Sequence, residues 1–189
     1  FAFFLFVALM VALAEWEKIS GKKFYREFGF IFLFFSIFTS YAFRGSTNVE
    51  LWNFLLILLI CVSTDIGGYI FGKIFKGPKL TKISPNKTLA GMIGGFMSSI
   101  IFSSIYLNYL NSLELSNKTF QISNEYDLIF ILLVSLVSQV GDVVVSFFKR
   151  KSKVKNTGKL IPGHGGLLDR IDGMIFAIPF SYLVFKFIF

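Results

Sequence analysis

With 189 residues, 54% of them hydrophobic, 26 of them Phe and only 16% charged, the chain has too little charge to clothe a soluble domain. Mean hydropathy is +0.70 and the formal net charge is +8 at pH 7, which describes an integral membrane protein with a basic surface. The single Cys61 lies in an apolar run, so neither a disulfide framework nor a cysteine zinc site is available.

The chain opens at Phe1 in apolar sequence with no initiating Met, and an N-terminal part of the natural protein is expected to precede it. Residues 1–14 do not read as a signal peptide, because no basic n-region or small-residue cleavage site frames them. Six apolar stretches approach the roughly 20 residues that span a bilayer as helix. They lie at about 1–16, 28–43, 51–71, 89–109, 128–148 and 171–189. The pattern predicts an all-α, polytopic membrane bundle of about six transmembrane helices, with 1–189 as a single domain. Ser63, Thr64, Gly67, Gly68 and Gly72 mark one small-residue face, and Gly91, Gly94, Gly95, Ser98 and Ser99 another. Such faces let helices approach closely, within one chain or across a homodimer.

Orientation follows from the loops, since short basic loops stay on the cytoplasmic side. The first carries Lys18, Lys22, Lys23 and Arg26, the third Lys73, Lys76, Lys79, Lys82 and Lys87. The fifth carries Lys149, Arg150, Lys151, Lys153, Lys155, Lys159 and Arg170. By contrast the second offers only Arg44 and the fourth, around Asn108 to Asp127, only Lys118. The alternation predicts odd-numbered loops at the cytoplasm and a basic face suited to anionic headgroups and phosphates, not to nucleic acid.

A charged residue in hydrocarbon costs about 2.5 to 3.5 kcal/mol on insertion scales, so acids inside spans are usually placed for a task. Asp65 and Asp142 are two such acids, each a little more than one turn from its predicted cytoplasmic end. Ser138, Asp142 and Ser146 are spaced by four and share one helix face. Asp169 and Asp172 open the last span at i, i+3. With a helix start near Leu167, both would sit in its first turn, where the macrodipole favours negative charge. The preceding Pro162-Gly163-His164-Gly165-Gly166 can fold tightly and present backbone N–H groups to an anion. Carboxylates from two spans suit a hard cation such as Mg2+, with the number of cations, one or two, left open. His164 as the only His argues against zinc. The combination points to phosphoryl or nucleotidyl transfer at a membrane face. A transporter using Asp65 and Asp142 as an ion path is the alternative from another class.

These residues resemble the phosphatidate cytidylyltransferase, or CDP-diacylglycerol synthase, family over about 60–185. Its signature is matched by Ser146, Lys149, Arg150, Lys155, Gly158, Pro162, His164, Gly165, Gly166, Asp169, Arg170 and Asp172, with Gly141-Asp142 before them. Thr64-Asp65, Tyr69, Gly72, the run Lys82-Ile83-Ser84-Pro85-Asn86-Lys87-Thr88 and Gly91, Gly94, Gly95 agree with a second region. Asn156 stands where the family has Asp, and Leu89-Ala90 where it has Trp-Glu. The resemblance implies that CTP and phosphatidate give CDP-diacylglycerol and pyrophosphate at the cytoplasmic face of the inner membrane, within phospholipid biosynthesis. It implies Asp142 and Asp169 as metal ligands with Asp172 as a further one, and Lys149, Arg150, Lys155 and His164 at the reacting phosphates. Asp65, Ser84, Lys87, Thr88, Ser146, Gly165, Gly166 and Arg170 would bind substrate. A CTP-dependent polyprenol or phytol kinase is the alternative within the same broad chemistry.

Overall fold

A computed structural model describes residues 1–21, 23–81, 84, 87–112, 125–158, 160 and 165–188. Six helices follow in order: α1 Ala2–Ser20, α2 Tyr25–Arg44, α3 Asn48–Phe75, α4 Leu89–Ser112, α5 Glu125–Lys151 and α6 Met174–Ile188. Among the described residues the remaining regular pairing is one antiparallel bridge, Lys79 with Thr88. Helices α2, α3, α4 and α5 are long and apolar enough to cross a membrane, and α6 is apolar but shorter. The architecture is a polytopic helix bundle.

Local sequence sets the helix ends. Thr47 caps α3: its hydroxyl accepts from the Glu50 N–H at 3.2 Å and its own N–H donates to Glu50 Oε2 at 2.9 Å, a reciprocal capping box. The helix stops at Lys76, whose φ of 52° leaves the helical region. Its 28 residues measure about 42 Å at 1.5 Å per residue, more than the roughly 30 Å of hydrocarbon it must cross. At the other extreme, α6 begins later than the sequence predicts. Instead of helix from Leu167, residues 167–173 form successive turns, with the N–H groups of Arg170 and Ile171 both donating to the Leu167 carbonyl. Asp169 and Asp172 therefore lie before α6, not in its first turn.

The most extensively packed pair is α3 with α4, joined through the expected small-residue faces. A Cβ on Gly91 would lie 2.7 Å from the Gly68 carbonyl oxygen and 3.3 Å from the Gly72 Cα, so backbone meets backbone here. One on Gly68 would find only the Gly91 carbonyl, at an ordinary 3.5 Å. Gly91→Ala is expected to cost about 1–3 kcal/mol, an overpacking penalty that backbone cannot relieve. Gly68→Ala should be neutral or slightly stabilising, since Ala is the better helix former. Thermal unfolding of the two variants in detergent checks the contrast.

Two apolar clusters hold the bundle. One joins α3, α4, α5 and α6 around Ile57, Ile60, Leu107, Ile131, Val134 and Ala177, with Phe43 added from α2. The other joins α1, α2, α5 and α6 around Ala12, Trp16, Leu33, Val145 and Ile175, and takes Leu168 from the turns before α6. Large apolar side chains also cover the outside, among them Phe3, Phe34, Phe38, Ile66, Ile74 and Ile101, as expected of a surface meeting lipid.

Candidate active site

The first, third and fifth loops gather at one end of the bundle. Lys23 Nζ donates to Ser152 Oγ at 3.2 Å, and Ser152 Oγ donates to the Ile19 carbonyl, so the first and fifth loops touch. Lys87 of the third loop reaches α5, donating to the Gln139 carbonyl at 3.2 Å and pairing with Asp142 at 2.5 Å. The basic loops that the charge pattern assigned to one side are thus neighbours in space.

Beneath them lies a cavity of about 430 Å³. Helix α3 supplies Thr64, Asp65, Gly68 and Tyr69 to its wall, and the third loop and the start of α4 supply Ser84, Lys87, Thr88 and Gly91. Gln139, Asp142 and Lys149 come from α5, and Asp169, Arg170 and Asp172 from the turns before α6. The polar stripe on α5 forms as its spacing predicts: Ser146 Oγ donates to Asp142 Oδ1 at 3.3 Å, and Ser138 is fully buried one turn away on the other side. Thr64 and Ser135 hydroxyls meet at 2.8 Å and tie α3 to α5 beside Asp65.

The carboxylates divide into two settings. Asp169 has both oxygens occupied by protein donors. Lys149 Nζ lies 2.8 Å from Oδ1, and the Thr157 and Gly166 N–H groups donate to Oδ2 at 2.8 and 2.9 Å. Burial alone would push this carboxyl up, but the Lys149 ammonium and the two N–H groups outweigh burial and hold it below the ordinary carboxylate range. The stabilisation is present above the unfolded carboxylate value, about pH 4, and is lost as pH falls through the lower folded value. Asp172 is the acid that faces Asp142: their carboxyls are within hydrogen-bonding reach, and Lys149 stands 3.9 Å from Asp172. Geometry thus sets Asp172, and not Asp169, beside Asp142.

Four carboxylates and three cationic side chains line the cavity among the described residues. Lys87 pairs with Asp142 and Lys149 with Asp169. A surplus of negative charge, part of it buried, with two carboxyls facing each other, is a poor host for an anion by itself and a good one for a cation. The donor set is all oxygen, which suits a hard divalent ion. Among the described residues no three of His, Cys, Asp and Glu form a ready-made cage. Two carboxylates with the remaining positions left to phosphate oxygens and water is the arrangement Mg2+ commonly takes, and the residues present fit that ion.

Residues 1–188 match the model of the Cytidylyltransferase family. The chain belongs to that family. It is 33% identical to a phosphatidate cytidylyltransferase of Rickettsia bellii over 187 residues, 95% of this chain and 80% of the relative. It is 40% identical to one of Thermotoga maritima over 135 residues, 71% of this chain and 49% of the relative. Against one of Staphylococcus saprophyticus it is 39% identical over 126 residues, 66% of this chain and 45% of the relative. The chain thus spans about half the length of the last two.

Within this family setting, the expected site residues separate clearly. Asp65, Ser84, Lys87, Thr88, Asp142, Lys149, Asp169, Arg170 and Asp172 share the cavity wall. Ser146 supports Asp142 from one turn away, while Gly165, with φ at 90°, and Gly166 lie buried against Asp169. Arg150 and Lys155 are exposed and do not line the cavity, which departs from their expected place at the reacting phosphates. Asn156 is exposed too, beside Gly165. His164 and Pro162 lie outside the described residues, as do Lys82, Ile83, Pro85 and Asn86. Gln139 of the cavity wall and Thr157, which donates to Asp169, are missing from the sequence-based expectations, and so is Glu15. Glu15 of α1 is 4% exposed and accepts hydrogen bonds from the fifth loop. An acid one turn from the basic end of a span is the signal that singled out Asp65 and Asp142, and it marks Glu15 equally.

Proposed function

We propose that this chain transfers the CMP group of CTP to phosphatidate, forming CDP-diacylglycerol and pyrophosphate in phospholipid biosynthesis. The observation that carries the reading is the meeting of Asp142 and Asp172 with Lys87 and Lys149 in one cavity, at the bundle end that bears the basic loops. We place that end at the cytoplasmic face of the inner membrane, where CTP is available and the charge rule puts Lys and Arg.

The phosphate of phosphatidate is already an anionic nucleophile, so no side chain has to remove a proton from it. One of its oxygens bonds to the α-phosphorus of CTP as the bond from that phosphorus to the bridging oxygen breaks, and pyrophosphate leaves with the electron pair. What the protein supplies is alignment and charge neutralisation. Lys87, Lys149 and Arg170 present positive charge to the phosphates, and Ser84 and Thr88 present hydroxyls from the third loop. Asp142 and Asp172 would hold the Mg2+, and Asp65 shares their cavity wall. When bound, the ion neutralises and orients triphosphate oxygens that these carboxylates would otherwise repel. Asp169 acts through Lys149, fixing the ammonium between itself and Asp172.

Reconstituted protein supplied with phosphatidate and CTP labelled at the α- or the γ-phosphorus tests the reading. Label from the α position is expected in the lipid product, with none formed in EDTA and activity returning with Mg2+. Lipid labelled only from the γ position would show a kinase. Uptake by vesicles without CTP consumption would show a transporter.

A further inference from the structure

The turns that carry Asp169 and Asp172 rest on a carboxylate from the opposite end of the chain. Glu15 Oε1 accepts from the Leu167 N–H at 2.9 Å, and Oε2 from the Leu168 N–H at 2.9 Å and the Thr157 hydroxyl at 2.7 Å. Thr157 is the joint. Its N–H donates to Asp169 Oδ2 at 2.8 Å, and its hydroxyl, with one proton to give, lies 3.1 Å from the same oxygen and closer to Glu15. Two glycines keep the approach open, since a Cβ on either Gly158 or Gly166 would run into the Glu15 carboxylate. Glu15 itself is tied to no lysine or arginine by an ion pair among the described residues. A buried carboxylate is costly, and here three donors from one loop offset that cost.

We infer that Glu15 is a positioning residue for cytidylyl transfer: it clamps Thr157 and the Leu167–Leu168 backbone so that Asp169 fixes Lys149 and Asp172 meets Asp142. The inference rests on the activity proposed above. It makes α1, which lies outside the 60–185 stretch that carries the family motifs, part of the catalytic apparatus. Glutamine cannot replace it. An amide has one acceptor oxygen, so its NH2 group must face at least one of the Leu167, Leu168 and Thr157 donors.

The test uses the full chain in phospholipid nanodiscs with Glu15→Gln, Glu15→Asp and, to reach the joint separately, Thr157→Val. For Glu15→Gln, kcat per folded molecule is expected to fall about 100-fold, the loss a misplacement of about 1 Å brings, with KM for CTP nearly unchanged. Thr157→Val should follow in the same direction, and Glu15→Asp should recover part of the loss. Limited trypsin digestion, which needs no activity, should cut the Lys149–Lys155 segment faster in Glu15→Gln than in the unmodified chain. Unchanged kcat per folded molecule with unchanged digestion would overturn the inference, as would faster digestion at full kcat. An unmodified chain without cytidylyl transfer would instead overturn the proposed function, while the digestion result would still report on the clamp.

Discussion

Asp142→Asn is expected to lower CMP transfer by at least about 10³-fold, the scale of removing a principal charge-stabilising group in phosphoryl transfer. The fold should survive. The substitution keeps shape on α5, and the side chain is only partly buried, as is its partner Lys87. It also relieves the contact of two like-charged carboxyls, because the new amide would present a neutral group to Asp172. Thermal stability in detergent should therefore be unchanged or higher while transfer is lost, the trade expected where a site stores repulsion for a task. Asp172→Asn should behave in the same way. Full activity in either variant would remove the basis for the assignment.

The second large effect concerns Lys149, and its sign for stability is opposite. Its side chain is 10% exposed and that of Asp169 9%, so Lys149→Met would leave a buried carboxylate without its counter-ion. Breaking a buried pair from one side costs about 3–5 kcal/mol. Activity should fall together with the folded fraction. Adding Asp169→Asn should return part of the folded fraction, because the stranded charge is gone, without returning activity, because the ammonium beside Asp172 is still absent. Transfer assays normalised to folded protein by size-exclusion recovery separate the two. If the double variant were no better folded than Lys149→Met, the pair would not be the source of the loss.

Six helices and the common side of three loops are legible in the sequence because hydropathy and the distribution of Lys and Arg are direct records of the bilayer. The Lys23–Ser152 and Lys87–Asp142 contacts bear out that grouping of the loops. The place of Asp65 and Asp142 near one end of their spans is legible for the same reason. Which acid meets Asp142 is not. A helix from Leu167 would treat Asp169 and Asp172 alike, yet the Asp169 carboxylate competes for the Thr157 and Gly166 N–H groups and holds the chain in turns until Gly173. That local competition sends Asp169 to Lys149 and leaves Asp172 to face Asp142. Arg150 and Lys155 match a family motif by position, but a motif says nothing of which way a basic side chain turns at the end of a helix, and both face solvent. Glu15 carries the same signal as the other acids, but its partners lie 142 residues away at Thr157 and 153 away at Leu168, a distance no local pattern spans.

The central claim is that Asp142 and Asp172 jointly hold a divalent ion against the triphosphate. Binding of Mn2+ to the reconstituted chain, followed by electron paramagnetic resonance with and without CTP, tests it most directly. The account predicts Mn2+ whose binding is strengthened by CTP in the unmodified chain and lost in Asp172→Asn, while Asp169→Asn keeps it to the extent that the protein stays folded. CTP-strengthened Mn2+ binding that persists in Asp172→Asn and disappears in folded Asp169→Asn would contradict the account.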